Sequence, residues 1–268
     1  MPNVPSKLND FESLKEIVRS LRSEQGCPWD KEQTHQTLSR FVIEEAYELA
    51  EAIDSGLDQK MVEELGDLLL QVVLHSEIAR QAQRFDIHEV IEGICQKMVR
   101  RHPHVFGDLK VSGSEEVLDN WTKIKAQEKG QSENKADFGL PQGISALIAA
   151  HKIGERTRKF NFDWTELTQV MGKVEEELHE LKKALAIQNP QEIEHEIGDL
   201  LFTVGQLARH LKLDGESALR KANHRFQNRF KNMIKLCEMD NRDFAQLSEA
   251  ELDDYWNRVK SIENAKLT

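Results

Sequence analysis

Five acidic residues, Glu44, Glu45, Glu48, Glu64 and Asp67, recur 132 positions later as Glu176, Glu177, Glu180, Glu196 and Asp199. Gly66 and the pair Leu68-Leu69 recur with them, as Gly198 and Leu200-Leu201. Two carboxylates roughly 5 Å apart repel by about 3 kcal/mol at an effective dielectric near 20. A cluster of them therefore strains the fold or takes up protons unless a positive charge sits between them. A hard divalent cation removes the repulsion. An all-oxygen ligand set selects Mg²⁺, or Mn²⁺ or Ca²⁺ in its place, over zinc. Because Mg²⁺ is usually shared between a few carboxylates and substrate phosphates, a phosphate-bearing ligand is the expected occupant.

The elements that must position these acids follow from their spacing. Glu45 and Glu48 share one helix face, and so do Glu64 and Asp67. Both possible pairings, 48 with 64 and 45 with 67, have their midpoint at Gly56, inside the breaker stretch Asp54-Ser55-Gly56-Leu57-Asp58. An antiparallel hairpin folding there sets Glu48 beside Glu64 and Glu45 beside Asp67. In the second copy the midpoint is residue 188, next to Asn189-Pro190, again a breaker. Apolar residues flank the acids (Val42, Ile43, Ala46, Leu49, Leu65, Leu68 and Leu69), which argues against a merely solvated acidic face. A di-iron bundle is the sharper rival, since copy two contains Glu176-x-x-His179 and Glu192-x-x-His195. Copy one has Tyr47 and Glu63 at those histidine positions, and the spacing turns His179 away from the acids.

Each copy continues into a basic helix and a Trp-x-x-x-Lys pair. These are Lys97 and Arg101 with Trp121 and Lys125, then Arg225 and Arg229 with Trp256 and Lys260. Arginine and lysine neutralise phosphate oxygens, and tryptophan stacks on a flat ring. The copies also differ. Lys173 precedes the acids of copy two where copy one has Phe41; Lys60 of copy one is Glu192 in copy two; and Asn223 has only Gln96 as a counterpart. The run Arg100-Arg101-His102-Pro103-His104 reads as a helix stop, although its His-x-His can bind metal.

Fourteen glycines and six prolines in 268 residues suit a helical protein. Apolar rhythms such as Ile87, Val90, Ile91, Ile94 and Met98 predict amphipathic helices, four or five to a bundle. The offset predicts two units, 1–128 and 140–268, joined by a linker at 129–139 that the polar stretch Gln127 to Asp137 marks. Stripes this apolar on bundles this small predict a homodimer. Three scattered cysteines, no recognisable secretory leader and no apolar run long enough for a bilayer predict a cytoplasmic protein that meets no membrane. A net charge of −11 without a basic stripe argues against a nucleic acid polymer as partner. No Walker loop or Gly-x-Gly-x-x-Gly occurs, so side chains and metal must hold any phosphate.

With Glu-Glu-x-x-Glu, Glu-x-Gly-Asp, the basic helix and Trp-x-x-x-Lys in place, the sequence resembles the MazG family of nucleoside triphosphate pyrophosphohydrolases. The segments Gly26 to Thr34, Arg100 to Phe106, Phe162-Asp163-Trp164 and Lys221-Ala222-Asn223 carry the same resemblance, which spans nearly the whole chain. It implies an all-α fold of two tandem bundles, each built on an antiparallel helical hairpin carrying four carboxylates. It further implies a dimer and Mg²⁺-dependent hydrolysis of ribo- and deoxyribonucleoside triphosphates to monophosphate and pyrophosphate, in house-cleaning or control of the nucleotide pool. On this chain the implied metal ligands are Glu177, Glu180, Glu196 and Asp199, with Glu45, Glu48, Glu64 and Asp67 as counterparts. Lys173, Glu176, Asn223, Arg225, Arg229, Trp256 and Lys260 are implied to line the nucleotide site, as are Lys97, Arg101, Trp121 and Lys125 in copy one. Glu176 and Glu44 are the candidates to position or deprotonate the attacking water. Two other expectations stay open: one copy serving as a non-catalytic nucleotide-binding or dimerisation module, and a narrow dUTP- or phosphoribosyl-ATP-type specificity.

Overall fold

The structure, a computed structural model, describes residues 4–128 and 138–267. Most of the expected linker, 129–137, lies outside the described residues. The chain divides into two compact units, Met1–Glu133 and Asn134–Thr268, and no strand occurs among the described residues.

The first unit carries α1 (Phe11–Leu21), α2 (Pro28–Glu32), α3 (His35–Ser55), α4 (Asp58–Gln81), α5 (Ile87–Arg101), α6 (Pro103–Phe106) and α7 (Ser114–Glu128). Thr34 starts α3 with a capping box: its side chain accepts from the Thr37 N–H, and the Thr37 hydroxyl accepts from the Thr34 N–H. Gly56 ends α3 in the left-handed region at φ 67°, where a residue without Cβ is least strained, and α4 begins two residues later. The predicted hairpin is therefore present and turns at the predicted glycine. Its open end is anchored in a core of Val18, Leu38, Val73, Leu74 and Ile87, against which Phe11, Leu14 and Phe41 pack. His102 caps α5, its Nδ1 lying 2.7 Å from the Met98 carbonyl, so the His-x-His run is a helix stop.

Near that core His35 and His75 stack with ring centroids 5.0 Å apart and Nδ1 atoms 2.7 Å apart, and Arg84 reaches the outer nitrogen of His35. Burial holds both imidazoles below their ordinary pKa. Arg84 and Arg22 add to this at His35, and His35 adds to it at His75.

The second unit carries α8 (Ala146–Arg158), α9 (Leu167–Ile187), α10 (Pro190–His210), α11 (Gly215–Met239), a 3₁₀ turn (Phe244–Gln246) and α12 (Glu249–Leu267). Here Gln188 takes the left-handed cap at φ 59°. The Asn189 side chain then accepts from the Gln191 N–H, and Pro190 opens α10 where a missing donor costs nothing. Helix α8 lies close on α10 because small residues meet there. A Cβ on Gly154 would come within 2.0 Å of Gln206 Oε1, and one on Gly205 would meet Ala150. Gln206, 1 % exposed, donates from Nε2 to the Ala150 carbonyl at 2.6 Å. Asp163 closes the junction by accepting from both Nη atoms of Arg209, and lies 3.1 Å from His210 Nε2. A second core of Met233, Cys237, Tyr255 and Val259 joins α11 to α12.

Candidate active site

In the first unit one oxygen each of Glu45, Glu48 and Glu64 lies within 4.8 Å of the others. Burial raises the pKa of Glu45, followed by the charges of Asp67, Glu48, Glu64 and Glu44. Burial likewise raises that of Glu64, followed by Glu48, Glu63 and Asp67, with Lys60 opposing. The leading neighbours, Asp67 for Glu45 and Glu48 for Glu64, are the partners that the symmetry about Gly56 predicts. Asp67 stands outside the tight trio. These are anions forced together, and protonation or a cation relieves them.

In the second unit Glu177, Glu180 and Glu196 form the equivalent trio, again within 4.8 Å. Its electrostatics differ. Lys173, one turn earlier on α9, places Nζ 2.8 Å from Glu177 and 2.9 Å from Glu176. Glu177 is only 4 % exposed, and its bond to Lys173, with that to Glu176, raises the lysine's pKa. Lys173 thus places a positive charge beside the first acid of its trio, where the first unit has none at the matching position and carries Lys60 near Glu64 instead. At the corresponding position Phe41 is packed edge-on to Trp29, under the guanidinium of Arg40. Glu176 and Glu44 are both exposed, one residue before the first acid of their trios.

His195, which enters the sequence reading only through the rival di-iron pattern, joins the acids of the second hairpin. Its Nδ1 lies 3.5 Å from both Glu196 and Asp199, forming a second trio with them. Among the described residues, the trios contain neither Glu192 nor His179, so the two Glu-x-x-His pairs of a di-iron bundle are not assembled. An i,i+4 spacing between His195 and Asp199 was the available signal.

The basic and aromatic residues are brought together with one another. Arg101 stands over the Trp121 ring at 5.7 Å and Lys125 Nζ at 5.9 Å. Arg229 stands over Trp256 at the same 5.7 Å, with Phe226 tilted against that ring at 5.2 Å. Asn223, Arg225 and Lys260 are exposed, and Lys97 is half-buried one turn before Arg101. The acids paired with Arg101 and Arg229 are Glu128 and Glu263, not those of the hairpins. Of the expected cations, Lys173 bonds to hairpin acids, whereas Arg101 and Arg229 pair with acids of α7 and α12.

The donor sets fit a hard cation. They are all-oxygen, and Glu196 Oε2 is buried without a hydrogen-bond partner, a costly state that a bound cation relieves.

Fold and site together define an all-α protein in which a carboxylate-lined helical hairpin occurs twice. A family model described as the MazG nucleotide pyrophosphohydrolase domain matches residues 33–106 and 165–234, spanning both hairpins and both basic helices. A Thermotoga maritima protein named nucleoside triphosphate pyrophosphohydrolase/pyrophosphatase MazG is 46 % identical over 250 residues, covering 93 % of this chain and 95 % of its own. An Escherichia coli K12 protein named nucleoside triphosphate pyrophosphohydrolase is 38 % identical over 260 residues, covering 96 % and 99 %. A Mycobacterium tuberculosis protein of the same name is 40 % identical over 134 residues, 49 % of this chain and 40 % of its own. The chain belongs to the MazG nucleotide pyrophosphohydrolase family and is a hydrolase of that class.

Proposed function

We propose that this chain hydrolyses ribo- and deoxyribonucleoside triphosphates to monophosphate and pyrophosphate, with Mg²⁺ as cofactor and Mn²⁺ able to replace it. The observation that carries the reading is the pair of hairpins, each gathering three carboxylate oxygens within 4.8 Å, in a chain of this family. Glu177, Glu180, Glu196 and Asp199 would hold the cation in the second unit, and Glu45, Glu48, Glu64 and Asp67 in the first. A divalent cation there neutralises phosphate oxygens and acidifies a bound water.

The protein's own groups do the rest. Glu176, and Glu44 in the first unit, orient the water for in-line attack on the α-phosphorus and accept its proton. The α–β bridging bond breaks and pyrophosphate leaves. Lys173, Arg225, Arg229 and Lys260 neutralise phosphate oxygens beyond the hairpin's reach, Trp256 stacks on the base, and Asn223 binds the nucleotide by hydrogen bonding. Lys97, Arg101, Trp121 and Lys125 repeat this in the first unit.

The active form is a homodimer. Large apolar side chains on the hairpins are exposed, among them Ile43, Leu65 and Leu69 in one unit and Leu178, Ile197 and Leu201 in the other. A partner chain covers such faces. No helix of the described residues is long and apolar enough to cross a membrane. The proposed role is control of the nucleotide pool in the cytoplasm.

A second reading has a specific observation behind it. Phe41 stands where Lys173 bonds to Glu177 in the second hairpin, and Lys60 acts on Glu64 instead, which favours a first unit that binds nucleotide without turning it over.

The test is a turnover screen of the full chain against the common ribo- and deoxyribonucleoside triphosphates, with products identified. The expected products are monophosphate and pyrophosphate from several bases. Release of inorganic phosphate with diphosphate would overturn the proposed chemistry, and turnover of a single base would replace the broad specificity with a narrow one.

A further inference from the structure

The two units share a contact that the acid repeat does not announce. Glu128 and Glu263 stand 135 positions apart, the same offset that relates Trp121 to Trp256 and Lys125 to Lys260. Each accepts from the arginine that lies over its unit's tryptophan. Glu128 accepts from Nε and Nη2 of Arg101, at 3.0 and 2.5 Å, and Glu263 accepts from Nε of Arg229 at 2.8 Å. In both units the guanidinium carbon is 5.7 Å from the ring centroid. A surface arginine otherwise samples many rotamers. Holding its Nε by a carboxylate and its face on an indole leaves one orientation of the planar fork.

The units differ in how much of the fork is used. Arg100 also donates to Glu128, at 2.6 Å, and the two arginines, Arg101 first, pull the Glu128 carboxyl down to about 2. The corresponding position in the second unit is Asn228, which brings no charge. There the bond to Glu263 is made through Nε, and the Nη groups of Arg229 take no part in it. Nη groups in a fixed plane match two phosphate oxygens side by side.

We propose that Glu263 is a positioning residue, clasping Arg229 against Trp256 so that the Nη edge meets a phosphate of the bound nucleotide. Glu128 forms the same clasp in the first unit and takes Nη2 as well as Nε, which leaves Arg101 fewer donors for a phosphate than Arg229. This inference rests on the reading that Arg229 and Trp256 meet the substrate.

The experiment uses the full chain carrying Glu45→Ala, so that turnover reports the second unit. The substrate is whichever nucleoside triphosphate the unmodified chain hydrolyses fastest. Glu263→Ala is expected to raise KM about tenfold with kcat changed less than about twofold, the loss of one oriented charge-assisted contact. Glu263→Gln keeps an oxygen to accept from Nε and should bring KM back to within about threefold of the parent, at the melting temperature of the alanine variant. In an Arg229→Ala background Glu263→Ala should add nothing further.

An unchanged KM in Glu263→Ala would overturn the proposal, as would the full penalty persisting without Arg229. A lowered KM would make Glu263 a competitor of the phosphate and overturn it equally. The same variants are titrated with inorganic tripolyphosphate and Mg²⁺ by calorimetry. Should the unmodified chain hydrolyse no nucleotide, the reading of the site fails, while a tenfold weaker tripolyphosphate Kd in Glu263→Ala still supports the clasp and an unchanged one refutes it.

Discussion

Replacing Glu45 and Glu177 together by alanine is expected to abolish pyrophosphate release, lowering kcat by at least about 10³-fold, the scale of losing a principal charge-stabilising element at a reacting phosphorus. The two residues hold equivalent places in their hairpins, and each belongs to a trio of oxygens within 4.8 Å. Glutamine at the same positions separates chemistry from folding. It removes a carboxylate whose pKa is raised by burial and by Asp67, so Glu45→Gln relieves repulsion, and its melting temperature without metal should hold or rise. Steady-state assay of the double variant checks the first expectation. The single variants apportion turnover between the units, with the larger loss expected from Glu177. Activity above about a tenth of the parent's in the double alanine variant would remove the hairpins from the reaction.

The second large effect belongs to Lys173. Lys173→Met should lower kcat/KM of the second unit by about 10²-fold, measured in a Glu45→Ala background, because one residue serves two partners in turn. Without ligand it neutralises Glu177, the most buried acid of the trio. In the proposed site, a cation held by that carboxylate would leave the lysine free to meet the phosphates. Removing it also leaves Glu177 uncompensated, so stability without metal should fall by about 2 kcal/mol and be largely restored by Mg²⁺. Calorimetric melts with EDTA and with Mg²⁺ read this directly. A variant destabilised equally in both conditions would make Lys173 a structural residue only.

The hairpins were legible in the sequence because local rules set them. A glycine at 56 and Asn-Pro at 189–190 punctuate two helices, and the acids fall symmetrically about those points. The structure realises both turns, one at a left-handed glycine and one at a left-handed Gln188 that no propensity rule singles out. The helical rhythm through Ile87, Val90 and Ile94 was equally plain, and α5 follows it.

What stayed hidden depends on contacts between distant segments. Asp163 was recognised only as part of a family motif; its bonds to Arg209 and His210 arise because Gly154 and Gly205 let α8 close on α10. His195 enters the sequence reading only through the rival di-iron pattern that the first copy argues against, yet its ring nitrogen lies 3.5 Å from Glu196 and Asp199 on its own helix. The pairing of Arg229 with Glu263 spans α11 and α12, and no periodicity within one helix foretells it. The number of helices per unit was also underread for the first unit, where short α2 and α6 open at Pro28 and Pro103 and carry no amphipathic rhythm.

Divalent-ion binding at these hairpins is the property on which every other expected result depends. Titration of the full chain with Mn²⁺, followed by electron paramagnetic resonance, measures this without requiring turnover. The expected result is saturable binding at both hairpins, with Glu45→Ala and Glu177→Ala each removing one class of sites and the double variant removing both. Undiminished Mn²⁺ binding by the double variant would contradict it.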